Sequence, residues 1–185
     1  IICESPVHAQ VVYVHISYIP PPGTLSTDTL YYSYSRKLKW SDFKGTPRQA
    51  SNSAALSFTG FSYDATTIKK RDTVIVNLSM QVYFDREGSW VRRGGQNSYA
   101  LSHEQLHFDI AKLAALAFRD SLLSTNFSFE YYPIEIHMLY WDCWRNMNVM
   151  QDAFDTQTRH GMDHGAEAAW EKKINRALLS GLDQH

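Results

Sequence analysis

SYALSHEQLHFDIAKLAALAFRDSLL, residues 98–123, decides the reading of this chain. It contains neither Gly nor Pro, and Leu101, Phe108, Leu113, Leu116 and Ala117 recur at helical spacing. What precedes it reads differently. Residues 11–19 (VVYVHISYI) are β-branched and aromatic, which predicts a strand ended by Pro20-Pro21-Pro22-Gly23. Further strands are expected over residues 30–40, 54–63 and 73–84, with the polar residues 64–72 turning between the last two and the glycine-bearing residues 85–97 forming a loop. After the quoted helix, a second is expected over about residues 136–159, stopping at Gly161. A third is expected over about residues 165–180, with Gly181 ending it. Strands followed by helices argue an α+β fold, with helices on one face of a mostly antiparallel sheet.

The 185 residues suffice for one domain with its own core, expected over residues 11–185. Residues 1–10 read as a flexible arm or a signal-peptide remnant: Val7-His8-Ala9 has the small-residue end of a secretory signal, and the expectation is an exported protein, periplasmic or extracellular. The formal net charge is −1 and no Lys/Arg run forms a phosphate-binding face, which argues against nucleic acid as a partner. No apolar run approaches the ~20 residues of a membrane span. Cys3 and Cys143 are too few for a disulfide framework. Nothing in the sequence sets the oligomeric state.

Within the quoted helix stands His103-Glu104-Gln105-Leu106-His107. Residues four apart lie on one helix face, so both imidazoles can reach one tetrahedral Zn²⁺. Glu104 points about 100° round the helix. It therefore lies beside the metal position, where a base takes a proton from water. A catalytic zinc needs a third protein ligand and an open fourth position. If the next helix returns antiparallel, its C-terminal part comes back beside the histidines. His160 is the first choice there, because imidazole is zinc's usual partner, and Asp155 is the alternative. With His160 as ligand, Asp155 could instead fix the tautomer of a ligand histidine. His164 is the fallback.

Three stretches give the chain a family likeness. Leu38-Lys39-Trp40-Ser41-Asp42-Phe43-Lys44-Gly45 matches an L-x-W-x-D-F-x-G signature. Residues 101–110, LSHEQLHFDI, match an HEQ-x-HFDI helix. Residues 154–161, FDTQTRHG, match a Y-D-x-x-T-x-H-G segment, with Trp170, Ile174 and Leu178 following. Over about residues 36–180 the chain resembles the bacterial domain-of-unknown-function family 922, whose members carry the designation zinc-dependent protease. The resemblance implies a zincin-like fold, a peptidase activity, and Asp155, Thr158 and His160 as a unit near the metal. Phe154 stands where that family tends to have Tyr.

The function expected is a zinc peptidase in which Glu104 accepts the proton of the attacking water and passes it to the leaving amine. The substrate peptide is expected to lie extended along residues 73–84 as an edge strand. A non-catalytic zinc-binding module, or a zinc amide hydrolase acting on a small or cell-wall substrate, would use the same ligands. A structural site has no need of Glu104 as a base.

Overall fold

The computed structural model describes residues 10–18, 27–48 and 53–182. The expected signal-peptide end, Cys3, and the loop at Pro20–Gly23 lie outside them. Among the described residues the order is β1 (Val11–Ser17), β2 (Thr29–Tyr31), a 3-10 turn (Trp40–Asp42), β3 (Ala55–Lys70), β4 (Thr73–Val91), α1 (Ser98–Ser124), α2 (Tyr132–Thr158) and α3 (His164–Leu182). The protein is α+β: one mixed sheet of four strands, then three helices.

The sheet departs from expectation in one decisive way. β4, expected at an edge, is the central strand. β3 pairs with it antiparallel along nearly its whole length; on the opposite side β1 pairs with it in parallel at Thr73–Ser79 and β2 antiparallel at Tyr83–Asp85. Its side chains show why. Val74, Val76, Leu78, Met80, Val82 and Phe84 alternate along one face and are all buried, which suits a strand with neighbours on both sides. The edge strand is instead β3, which pairs only with β4 among the described residues.

Other boundaries also moved. The hairpin turn contracts to Arg71 and Asp72, with Arg71 at φ 45°. Residues 64–70 are exposed, yet their backbones stay in the ladder. β2 is short: after Tyr32, whose N–H still bonds the Val82 carbonyl at 2.8 Å, residues 33–39 leave the sheet and lead into the Trp40–Asp42 turn. There buried Asp42 accepts from the Lys39 N–H at 2.9 Å and pairs with Arg36 at 2.9 Å and Arg86 at 3.5 Å.

α1 starts where Asn97 Oδ1 accepts the Ala100 N–H at 2.8 Å. Its 27 residues span roughly 40 Å. It is buried nearly all round, touching β1, β3, β4, α2 and α3, with Ala111, Ala114 and Ala115 letting neighbours approach closely. α2 begins earlier than expected, with Pro133 in its first turn. α3 does not stop at Gly181 but runs through it: a Cβ at that position would lie 2.7 Å from Leu116 Cδ1, so this glycine permits close contact between α3 and α1. Cys143 is free and buried. No described helix is long and apolar enough to cross a membrane.

Candidate metal centre

α2 does return beside α1, bringing its last two turns against His103 and His107. Three donor atoms converge. His103 Nε2 and His107 Nε2 each lie 3.1 Å from the same oxygen, Asp155 Oδ1. His103, His107 and Asp155 form the group that could hold a metal ion among the described residues, their ligand atoms all within 4.8 Å of one another.

The remote nitrogens explain the convergence. His103 Nδ1 lies 3.1 Å from Glu167 Oε2, a buried carboxylate that can only accept. His107 Nδ1 meets Gln151 Oε1. Gln151 spends its amide on the His107 carbonyl at 3.0 Å, which leaves its oxygen facing the ring. Both Nδ1 atoms are therefore donors, and in the neutral rings both Nε2 atoms carry lone pairs. Two lone pairs and a carboxylate oxygen around one point repel each other unless a cation lies between them. Donors bound tetrahedrally to zinc stand about 3.3 Å apart, close to the 3.1 Å from each Nε2 to Asp155 Oδ1. The donor set thus fits a divalent metal.

With a proton instead of a cation between the donors, the same atoms pair by hydrogen bonds. Burial opposes charge on Asp155, but hydrogen bonds from His103 and His107 outweigh it and hold the carboxyl well below its usual range. Burial also opposes charge on His107, and Asp155 with the nearby Glu104 carboxylate raises it nonetheless. A second layer locks the first. Tyr99 donates to Glu167 Oε2 at 2.8 Å, and burial together with that carboxylate pushes the phenol up to about 12, so it stays a donor. The fully buried Phe154 ring stacks on His103, with centroids 4.6 Å apart, and meets His107 edge-on at 4.9 Å. The same ring meets Trp170 edge-on at 5.6 Å.

The remaining expected residues take distinct places. Glu104 is buried beside the histidines and lines the same cleft. His160 is at the cleft rim, its side chain 64% exposed and its Nδ1 3.5 Å from Asp155 Oδ2, outside the converging trio. Arg159 and His160 both have positive φ, and Gly161 follows at 81°, so the chain reverses abruptly after α2. Thr158 does not reach the donors. Its hydroxyl donates to the Phe154 carbonyl at 2.8 Å and accepts from the Gly161 N–H at 3.3 Å, holding that reversal. His164 stacks on Tyr99 and stays away from the trio.

The residues that sequence reasoning did not single out are Ser57, Tyr99, Gln151 and Glu167. Gln151 carried a signal, being one helical turn before Asp155 and on its face. Glu167 carried none, since its position depends on how α3 packs.

The donors sit in an open cleft of about 530 Å³. One wall is residues 53–59, leading into and along β3; the other is α2 at Asn148, Gln151 and Asp152, with Tyr99 also lining the cleft. No protein-family model, curated protein or solved structure matches the chain.

Proposed function

We propose that the protein is a metal-dependent hydrolase of the zinc peptidase type, with His103, His107 and Asp155 as the protein ligands and Glu104 as the base. The observation that carries this reading is the convergence of both Nε2 atoms on Asp155 Oδ1 with a buried carboxylate beside them in an open cleft. The resemblance in residues 101–110 and 154–161 points the same way.

A zinc ion bound there supplies a Lewis acid that lowers the pKa of water towards 7 and polarises a carbonyl. The chain's own residues do the rest. Glu167 and Gln151 hold the imidazoles in the tautomer that presents Nε2. Glu104 takes the proton of the attacking water and returns it to the leaving amine. The substrate lies extended against β3 rather than β4. The Ala54 carbonyl and the Phe58 N–H are turned towards β4, the latter bonded to Ser89 Oγ. By the alternation of a strand, Ala55, Ser57 and Thr59 present their backbone groups to the cleft side. Pairing there supplies affinity from main-chain hydrogen bonds, with modest side-chain selectivity.

Two features favour catalysis over a structural zinc site. The described group has three members, which leaves a fourth position for water, and a purely structural site gives Glu104 no task. An amide hydrolase acting on a small or cell-wall substrate would use the same residues in the same roles. The test uses the purified chain, loaded with zinc and assayed by metal analysis and by cleavage of a quenched-fluorescent peptide mixture. Glu104→Gln is expected to keep its metal and lose about 100-fold or more in rate. Wild-type cleavage by that variant would overturn the mechanism.

A further inference from the structure

Among the described residues the carboxylate assigned as base has one side-chain hydrogen-bond partner, and that partner sits in an irregularity of the sheet. Glu104 is 5% exposed. Ser57 Oγ donates to Glu104 Oε2 at 2.6 Å and lies 3.4 Å from the Glu104 carbonyl oxygen. No other hydrogen bond from a described residue reaches this carboxylate, so Oε1 is left to the cleft that Glu104 lines.

Ser57 has no partner in the ladder. Leu56 faces Trp90 and Phe58 faces Asp85, so β4 bulges outward over residues 86–89 opposite this one serine. The outpouching is built, not frayed. Asp85 Oδ1 accepts the Glu87 and Gly88 N–H groups at 3.0 and 2.9 Å, and the Lys44 and Gly45 N–H groups bond the Arg86 and Ser89 carbonyls. Buried Ser89 replaces the lost ladder bond by accepting the Phe58 N–H at 2.8 Å. Bulges of this kind bend a strand and re-aim a side chain. This one sets the Ser57 hydroxyl against α1 at the first residue after His103.

We propose that Ser57 is the positioning residue for Glu104: its hydroxyl engages Oε2, so that Oε1 alone turns to the attacking water. This rests on the hydrolase reading above. The two oxygens of a carboxylate are equivalent until a donor distinguishes them. A charge-assisted O–H···O⁻ bond of this length is among the stronger ones available. Without it the buried carboxylate keeps its place on the helix but loses its orientation.

The experiment compares zinc-loaded wild type, Ser57→Ala, Ser57→Thr and Glu104→Gln by three readouts: zinc content, kcat and KM on the quenched-fluorescent peptides, and acetohydroxamate affinity by calorimetry. A hydroxamate binds a metal and offers its hydroxyl to the adjacent base, so its affinity reports the orientation of Glu104 without turnover. Ser57→Ala is expected to retain zinc, lower kcat about tenfold at unchanged KM, and weaken acetohydroxamate about tenfold, the size of one hydrogen bond to a charged group. Ser57→Thr restores both. Wild-type acetohydroxamate affinity in Ser57→Ala overturns the proposal, as does loss of zinc from that variant, which would make the role structural. A wild-type chain that binds zinc and hydroxamate but cleaves no peptide overturns the peptidase reading alone, and the hydroxamate series still decides Ser57. A wild-type chain that binds no zinc overturns both.

Discussion

At the residue scale the third donor is the sharpest question, because Asp155 and His160 are both within reach of the histidines. Geometry separates them: one Asp155 oxygen touches both Nε2 atoms, while the exposed His160 ring reaches only the other oxygen of that carboxylate. Asp155→Ala is therefore expected to abolish stoichiometric zinc binding and His160→Ala to leave it intact, measured by metal analysis after dialysis. The reverse result would make His160 the ligand. One layer out, Glu167→Gln keeps the shape of its side chain but removes the charge facing His103 Nδ1. Partners of this kind tune metal affinity by about 10–100-fold, and a zinc titration against a competing chelator should show a loss in that range. Tyr99→Phe, which removes one donor from Glu167, should cost less.

At the scale of the element, two glycines hold the site together. Gly45 closes the Leu38–Gly45 stretch, and a Cβ there would stand 2.3 Å from the Glu87 carbonyl oxygen and 2.8 Å from that of Ser89. Its smallness lets this loop pair with the β4 bulge that carries Ser57 into place. The same stretch buttresses α1 directly, the Leu38 N–H donating to Gln105 Oε1 at 2.8 Å. Gly45→Ala is expected to destabilise the fold by about 2 kcal/mol, read by chemical denaturation, because backbone must move to admit the methyl. Gly161 works at the other end, where φ 81° and a would-be Cβ 3.3 Å from His103 Nδ1 meet in one residue. Gly161→Ala adds backbone strain of about 1 kcal/mol and crowds a metal ligand. It should lower both stability and zinc affinity, whereas Gly45→Ala should act first on stability.

At the scale of the whole molecule, the donors staple α1 to α2 while Glu167 ties in α3. Metal binding should therefore stabilise the entire fold. Free zinc at 1,000 times its Kd contributes about 4 kcal/mol, or roughly 10 °C of melting temperature for a domain of this size. A chelator should reverse the gain and Asp155→Ala should not show it. A second whole-molecule effect comes from the opposite side of α1. The Lys112 ammonium is buried 3.8 Å from the centre of the Tyr18 ring, with Tyr32 and Tyr34 farther off, and burial and then the Arg119 guanidinium push it down to about 8. The unfolded chain holds that proton to about 10.5, so between pH 8 and 10.5 the unfolded state binds more protons and stability from this group rises with pH. The stability advantage of Lys112→Met over wild type should thus be greater at pH 7 than at pH 10 in thermal melts.

Much of this was legible in the sequence, for a local reason. A helix fixes which side chains are neighbours within four residues, so His103, Glu104 and His107 mark two candidate ligands and a candidate base without any knowledge of the fold. The change from alternating to helical period after residue 97 likewise gives strands before helices. The rest depends on how elements pack, and local spacing does not encode that. The central place of β4 follows from a parallel partner more than fifty residues away in sequence. That Asp155 rather than His160 meets both Nε2 atoms follows from the angle at which α2 returns and from the chain reversal after Thr158, which leaves the His160 ring exposed at the cleft rim. Glu167, Gln151 and Ser57 reach the site only because α3, α2 and the edge strand β3, paired with a bulge of β4, meet there. The sequence alone thus determined half of a candidate metal site and the order of its scaffold; the tertiary structure decided the other half, because donors on different elements become neighbours only through packing.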